Sequence, residues 1–95
     1  MAKSLYRIEN LELATLLRAL REETGMVQTA LAERLGRTQT FVSNVELGIR
    51  RLDLVELRDY CAGLGISLVD MVARWETQIA QLPSENRSKL KRTGK

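Results

Sequence analysis

The chain has 95 residues and a formal net charge of +3, and it is 28% charged and 44% hydrophobic. This length allows one domain with a single modest core. The sequence contains no histidine and one cysteine, Cys61, which excludes an intramolecular disulfide and, in practice, a zinc site or histidine-based catalysis. No apolar run reaches the ~20 residues that span a membrane. We therefore expect a cytoplasmic protein that is not an enzyme and that has no metal site and no cofactor.

The first predicted helix follows a polar lead over residues 1–9. Asn10 is a plausible N-cap for it, and Gly25 closes it. Between them four leucines recur at the spacing of an amphipathic helix that packs on a core: Leu13, Leu16, Leu17 and Leu20.

Residues 28–48 predict two short helices joined by a tight turn. Gly36 stands where a left-handed backbone costs little only for glycine. Thr38 can cap the second helix, which we place over residues 39–47, and Gly48 ends it. The first of these helices has an apolar face at 3.6-residue spacing that is formed by Gln28, Leu31, Ala32 and Leu35.

The second helix of this motif turns Val42 and Val45 inward and leaves short amide and hydroxyl groups outward. Two steeply crossing helices with a glycine turn are the unit that places its second helix in the major groove of DNA. Gln39, Thr40 and Asn44 suit base contacts, and Ser43 suits either base or phosphate. Phe41 either packs under the helix or meets a thymine methyl or a sugar.

Two more helices complete the predicted domain, which ends near residue 83. Asp53 caps the fourth helix with Glu56 as its capping-box partner. Ser67 caps a fifth helix over 67–82, before Pro83. A heptad-like apolar seam runs along the fifth helix through Leu68, Val72, Trp75, Ile79 and Leu82.

The seam of the terminal helix has two interpretations. It can fold back on the first helix of the same chain, or it can pair with a second copy through Trp75, Ile79 and Leu82. We favour the homodimer, because one helix-turn-helix reads too few base pairs to be specific.

Basic residues are concentrated in two segments. Residues 34–51 contain four arginines and one acid, which turns one face toward phosphate. The tail 84–95 is basic and polar, so disorder is the default expectation, with phosphate contacts as an alternative.

The pattern from Gln28 to Arg51 resembles the Xre or Cro/CI-type phage-repressor helix-turn-helix family. The resemblance extends from about Leu17 to about Val72 and is carried by the glutamine opening, the Glu46-x-Gly48 ending and the arginines that follow. It implies an all-α, compact five-helix, lambda-repressor-like DNA-binding domain with an extended C-terminal helix.

The resemblance also implies roles for individual residues. An arginine late in the first helix commonly pairs with the glutamate that ends the recognition helix, which here gives the pair Arg21 and Glu46. Gln28 matches a family phosphate contact. The expected DNA-binding set is Gln28, Arg37, Thr38, Gln39, Thr40, Phe41, Ser43, Asn44, Arg50 and Arg51.

The expected function is sequence-specific binding to double-stranded DNA, with a palindromic operator and repression by a dimer. One alternative is an antitoxin-type or other protein-interaction module whose terminal helix binds a toxin or an antirepressor. Another is a restriction-system controller protein. An enzyme is not expected, since the sequence has no phosphate-binding glycine loop and no converging pair of carboxylates.

Overall fold

Residues 7–83 are described in a computed structural model of the chain, and five helices without a strand account for most of that range. The lead 1–6 and the basic tail 84–95 lie outside the described residues. The helices are α1 (Ile8–Glu23), α2 (Gln28–Leu35), α3 (Gln39–Glu46), α4 (Leu54–Leu64) and α5 (Leu68–Ala80).

The leucine stripe of α1 lies at the centre of the core. Leu16 and Leu17 are 1% exposed and Leu20 is 5% exposed, while Leu13 is partly buried at the edge. This stripe packs with apolar residues of the other helices, which include Leu31, Ala32, Val42, Val45, Tyr60, Cys61, Leu64 and Met71. A core assembled from every helix fixes their mutual angles.

The first helix begins earlier than the sequence indicated. It starts at Ile8, with Arg7 as N-cap, so the expected N-cap Asn10 lies inside the helix and the polar lead is shorter than 1–9. The Asn10 side chain instead donates from Nδ2 to the carbonyl oxygen of Gly48, 3.1 Å away. A long-range hydrogen bond has taken the place of a local cap.

The helix-turn-helix has the predicted local chemistry. Gly36 ends α2 with φ +66°, and the Thr38 hydroxyl oxygen accepts a hydrogen bond from the Phe41 backbone N–H at 3.1 Å. Helix α3 is one residue shorter than the predicted 39–47, because Leu47 is its C-cap. Gly48 follows with φ +80°, and a side chain there would lie 3.0 Å from Leu11.

The last two helices have the predicted caps. Asp53 and Glu56 form a complete capping box at α4, and the Ser67 hydroxyl caps α5. Gly63 lies within α4, where an added Cβ would be 2.7 Å from Leu35 of α2. Its role is therefore to let α4 pack closely against α2.

Candidate nucleic-acid interface

The outward face of α3 carries the polar side chains that the sequence predicted for it. Gln39 and Thr40 are exposed, and Ser43 and Asn44 are partly buried. Leu47, directly after the helix, is 63% exposed. The opposite face of α3 is closed against the core by two valines that are at most 3% exposed, Val42 and Val45.

Gln39 does not project freely from α3, because its side chain is hydrogen-bonded to α2. Its Nε2 donates to Oε1 of Gln28 over 2.6 Å. The Nε2 of Gln28 in turn donates to Oε1 of Glu46 over 2.9 Å. An amide has two N–H donors and an acceptor oxygen, so Gln39 keeps one donor and its oxygen for another partner.

Arg21 and Glu46 form the buried ion pair on which this chain of hydrogen bonds rests. The guanidinium donates to both carboxylate oxygens, over 2.6 and 3.0 Å, and the two side chains are 11% and 3% exposed. Arg21 also donates to the backbone carbonyl of Met26 over 2.7 Å. The hydrogen bond with Glu46 raises the pKa of Arg21 despite the opposing effect of burial. The bidentate pair joins the end of α3 to α1.

Phe41 packs within the chain, which is the first of the two positions considered for it. Its ring lies 6.3 Å from that of Tyr60, centroid to centroid, at 49°. The guanidinium carbon of Arg37 sits 3.7 Å from the Phe41 centroid, and that of Arg50 is 5.4 Å away. Both cations therefore lie close to the Phe41 ring.

Arg37 and Arg50 also contact Glu56, and the three side chains form one charged cluster. The sequence analysis did not assign Glu56 to this cluster. Arg50 donates to its two carboxylate oxygens over 2.7 and 3.4 Å, and Arg37 lies 3.8 Å from it. Its Oε1 also accepts from the Asp53 backbone N–H over 3.0 Å. That backbone hydrogen bond, followed by the bond from Arg50, lowers the pKa of Glu56. The sequence contained one signal for this contact, because a capping box turns the Glu56 side chain back toward the preceding arginines.

Arg51 is the last of the predicted basic residues, on the connection between α3 and α4. Its side chain is exposed, and its carbonyl oxygen accepts a hydrogen bond from Arg50. Arg37 precedes α3, and Arg50 and Arg51 follow it. The three arginines therefore flank α3 in the sequence at both ends.

Two of the predicted dimer residues, Trp75 and Ile79, lie on α5, whose near face packs on α1. The helix ends at Ala80, with Gln81 as its C-cap, instead of at the predicted residue 82, so Leu82 follows the helix. The indole Nε1–H of Trp75 donates to the Glu9 carbonyl oxygen over 3.0 Å, and its ring packs against the core. Ile79 and Leu82 are partly buried. Side-chain hydrogen bonds from Arg74 to Glu23 and from Gln78 to Glu12 join the same two helices. The Trp75 side chain therefore makes its contacts within its own chain.

Two other features are absent between Arg7 and Pro83. In that range no group of three or more His, Cys, Asp or Glu residues is arranged to hold a metal ion. Nor is any of its helices long and apolar enough to cross a membrane.

Comparison with known proteins identifies the same motif. A model of the helix-turn-helix domain family matches residues 12–75. The control protein C.MunI of Mycoplasma sp. is 33% identical over 58 residues, which are 61% of this chain and 78% of that protein.

Solved structures share the fold. An XRE-family like protein from Pseudomonas syringae pv. tomato str. DC3000 is 36% identical, with a TM-score of 0.71 over 81% of this chain and 94% of that one. A mutant of the restriction-modification controller protein C.Esp1396I is 25% identical, with a TM-score of 0.74 over 80% and 96%. C.Esp1396I has also been solved as a tetramer in complex with its natural 35 base-pair operator.

Proposed function

Because this chain belongs to the Xre-type helix-turn-helix family, we propose that it is a transcriptional regulator that binds specific sequences of double-stranded DNA with α3 in the major groove. The observation that carries the proposal is the hydrogen bond between Gln28 and Gln39. It fixes an exposed amide on α3 before DNA arrives, so less side-chain freedom is lost on binding.

The base contacts belong to Gln39, Thr40 and Asn44. With one N–H held by Gln28, the remaining N–H and the oxygen of Gln39 match the N7 acceptor and the N6 donor of adenine. Asn44 offers an amide N–H and an amide oxygen five residues later on α3. Ser43 and Thr40 supply hydroxyls for base or phosphate.

Phosphate contacts set the position of α3 along the groove but do not read sequence. Arg37, Arg50 and Arg51 supply the cations. The start of α2 adds a further contact for phosphate. Val27 at its N-cap provides no side-chain acceptor for the first backbone N–H groups, so these groups can donate to a phosphate oxygen. Gln28 lies at that start, with its side chain bonded to Gln39 and Glu46.

We place the active form as a homodimer that represses by occupying a palindromic operator. The complex of C.Esp1396I shows that a chain of this fold can assemble as an oligomer on DNA. In our proposal Trp75 anchors α5 to α1, and Ile79 and Leu82 contribute to the two-fold contact.

Control of a restriction-modification system is a second, narrower candidate. It is favoured by the 33% identity with the control protein C.MunI over most of that protein's length. Deletion of the gene should then change transcription of restriction or methyltransferase genes beside it, and unchanged transcription would remove this candidate.

Amide NMR spectra recorded during a titration with duplex DNA test the DNA-binding surface. We expect the signals of α3 and of the start of α2 to shift, and those of the outer face of α5 to stay in place. Shifts confined to α5, or no shifts, would contradict the proposal. If no signal shifts, the alternative of a protein-interaction module that binds its partner through α5 becomes the better interpretation.

The dimer assignment is tested by light scattering on two matched variants. Ile79→Glu should convert the dimer to a monomer, because it buries a charge in the two-fold contact. Val55 on α4 is 71% exposed, and Val55→Glu is expected to leave the dimer intact. If only Val55→Glu gives a monomer, the contact lies on α4 and not on α5.

A further inference from the structure

The Glu56 carboxylate contacts both Arg37, which precedes α3, and Arg50, which follows it. Arg50 binds it through two nitrogens, at 2.7 and 3.4 Å, and Arg37 is 3.8 Å from the same carboxylate. The Glu56 side chain is 26% exposed, and those of Arg37 and Arg50 are 41% and 39% exposed. The cluster is therefore open to solvent and accessible to an incoming anion.

The carboxylate is fixed in place independently of the arginines. Its oxygen accepts from the Asp53 N–H at 3.0 Å, and the Asp53 side chain accepts from the Glu56 N–H at 2.7 Å. This capping box belongs to α4, which packs on the core through Tyr60, Cys61 and Leu64. When the arginines move toward another anion, Glu56 stays behind as a fixed negative charge.

A DNA phosphate that binds Arg37 or Arg50 must therefore compete with this carboxylate. A guanidinium forms bidentate hydrogen bonds with carboxylate and with phosphate in similar geometry. An arginine that is already neutralised by a carboxylate also contributes less to the salt-dependent part of DNA binding, which depends on the phosphates neutralised by free cations.

We propose that Glu56 is an internal competitor of DNA phosphate, which weakens the grip of Arg37 and Arg50 on DNA of any sequence. The inference rests on the proposed DNA-binding function and adds a residue that sets its strength. Because Glu56 reduces the sequence-independent part of the binding free energy, base contacts supply a larger share of what remains.

Glu56→Gln is the sharpest test, because glutamine keeps the capping-box acceptor and loses only the charge. Binding to random-sequence duplex DNA should tighten by about fivefold, the scale of an exposed ion pair. The plot of log affinity against log salt should steepen by about one. The matched control is Glu76→Gln, which removes one charge from an exposed position on α5 and should change binding much less.

A double-mutant cycle separates competition from simple charge repulsion. In an Arg50→Gln background, Glu56→Gln should give a clearly smaller gain than in the wild type. An equal gain in both backgrounds, or equal effects of Glu56→Gln and Glu76→Gln, would overturn the role of Glu56 while DNA binding itself stands. Absence of DNA binding in the wild type and all variants would overturn the proposed function as well.

Discussion

Gln28 donates to Glu46 with its side-chain nitrogen and accepts from Gln39 with its side-chain oxygen, at 2.9 and 2.6 Å. One amide thus connects the buried ion pair of the core to the exposed face of α3. Since Arg21 also donates to Glu46, the orientation of Gln39 depends on residues of α1, α2 and α3 together.

Gln39→Ala should cost about 1–3 kcal/mol on the cognate operator and relax the preference at one base position. The reason is the loss of a pre-oriented amide that pairs with a base edge. Binding assays on the operator and on single-base variants measure this, with Gln81→Ala at the end of α5 as control. Equal losses on operator and random DNA would contradict base reading by Gln39.

Arg51→Ala should weaken binding to all sequences similarly and lower the salt dependence by about one. Arg51 is exposed on the connection between α3 and α4, and our proposal assigns it to phosphate. The same substitution at Arg74, on α5, should leave both quantities nearly unchanged. A loss at Arg51 that is confined to the operator would assign it to base contact instead.

Arg21→Met should lower the free energy of unfolding by roughly 3–5 kcal/mol, because it strands the carboxylate of Glu46 in a site where only 3% of that side chain is exposed. Urea unfolding measures the change. The control is Arg18→Met, which breaks an exposed pair with Glu22 on the same helix and should cost at most about 1 kcal/mol. Equal midpoints for the two variants would contradict a structural role of the buried pair.

Tyr60→Phe should keep or raise the stability of the protein. The hydroxyl of Tyr60 is buried and, within the described range, has no hydrogen-bond partner, so removing it relieves a desolvation cost of about 1–3 kcal/mol. Burial likewise raises the pKa of Tyr60. A fall in melting temperature would show that the hydroxyl is bonded after all, for instance to a water molecule.

Cys61 should resist thiol reagents at neutral pH until the protein unfolds. It is fully buried, and burial raises its pKa from 9.0 to about 11. The thiol of the unfolded chain loses its proton at a lower pH than the thiol of the folded protein. The contribution of the buried thiol to the free energy of unfolding is therefore present below about pH 9 and is lost as the pH rises toward 11. Rapid modification of the native protein at neutral pH would contradict this.

The parts of the structure that depend on neighbouring residues could be predicted from the sequence. The caps at Thr38, Asp53 and Ser67 and the left-handed Gly36 each follow from a few adjacent positions. The leucine periodicity of α1 predicted its buried face for the same reason.

The parts that depend on distant residues could not be predicted from the residues alone. Asn10 bonds to Gly48 and Trp75 bonds to Glu9 across the fold, and neither contact leaves a periodic signal. The pair of Arg21 and Glu46 was expected only from the family resemblance. The contact of Glu56 with two arginines was missed because its capping role already explained its position.

The most direct test of the account is selection from a random pool of double-stranded DNA at roughly physiological salt. We predict an enriched palindrome whose half-sites lie about ten base pairs apart, with the enriched bases changing in the Gln39→Ala protein. Enrichment of a single half-site would contradict the dimer alone. No enrichment, with only weak and salt-sensitive binding, would contradict the claim that α3 reads DNA sequence.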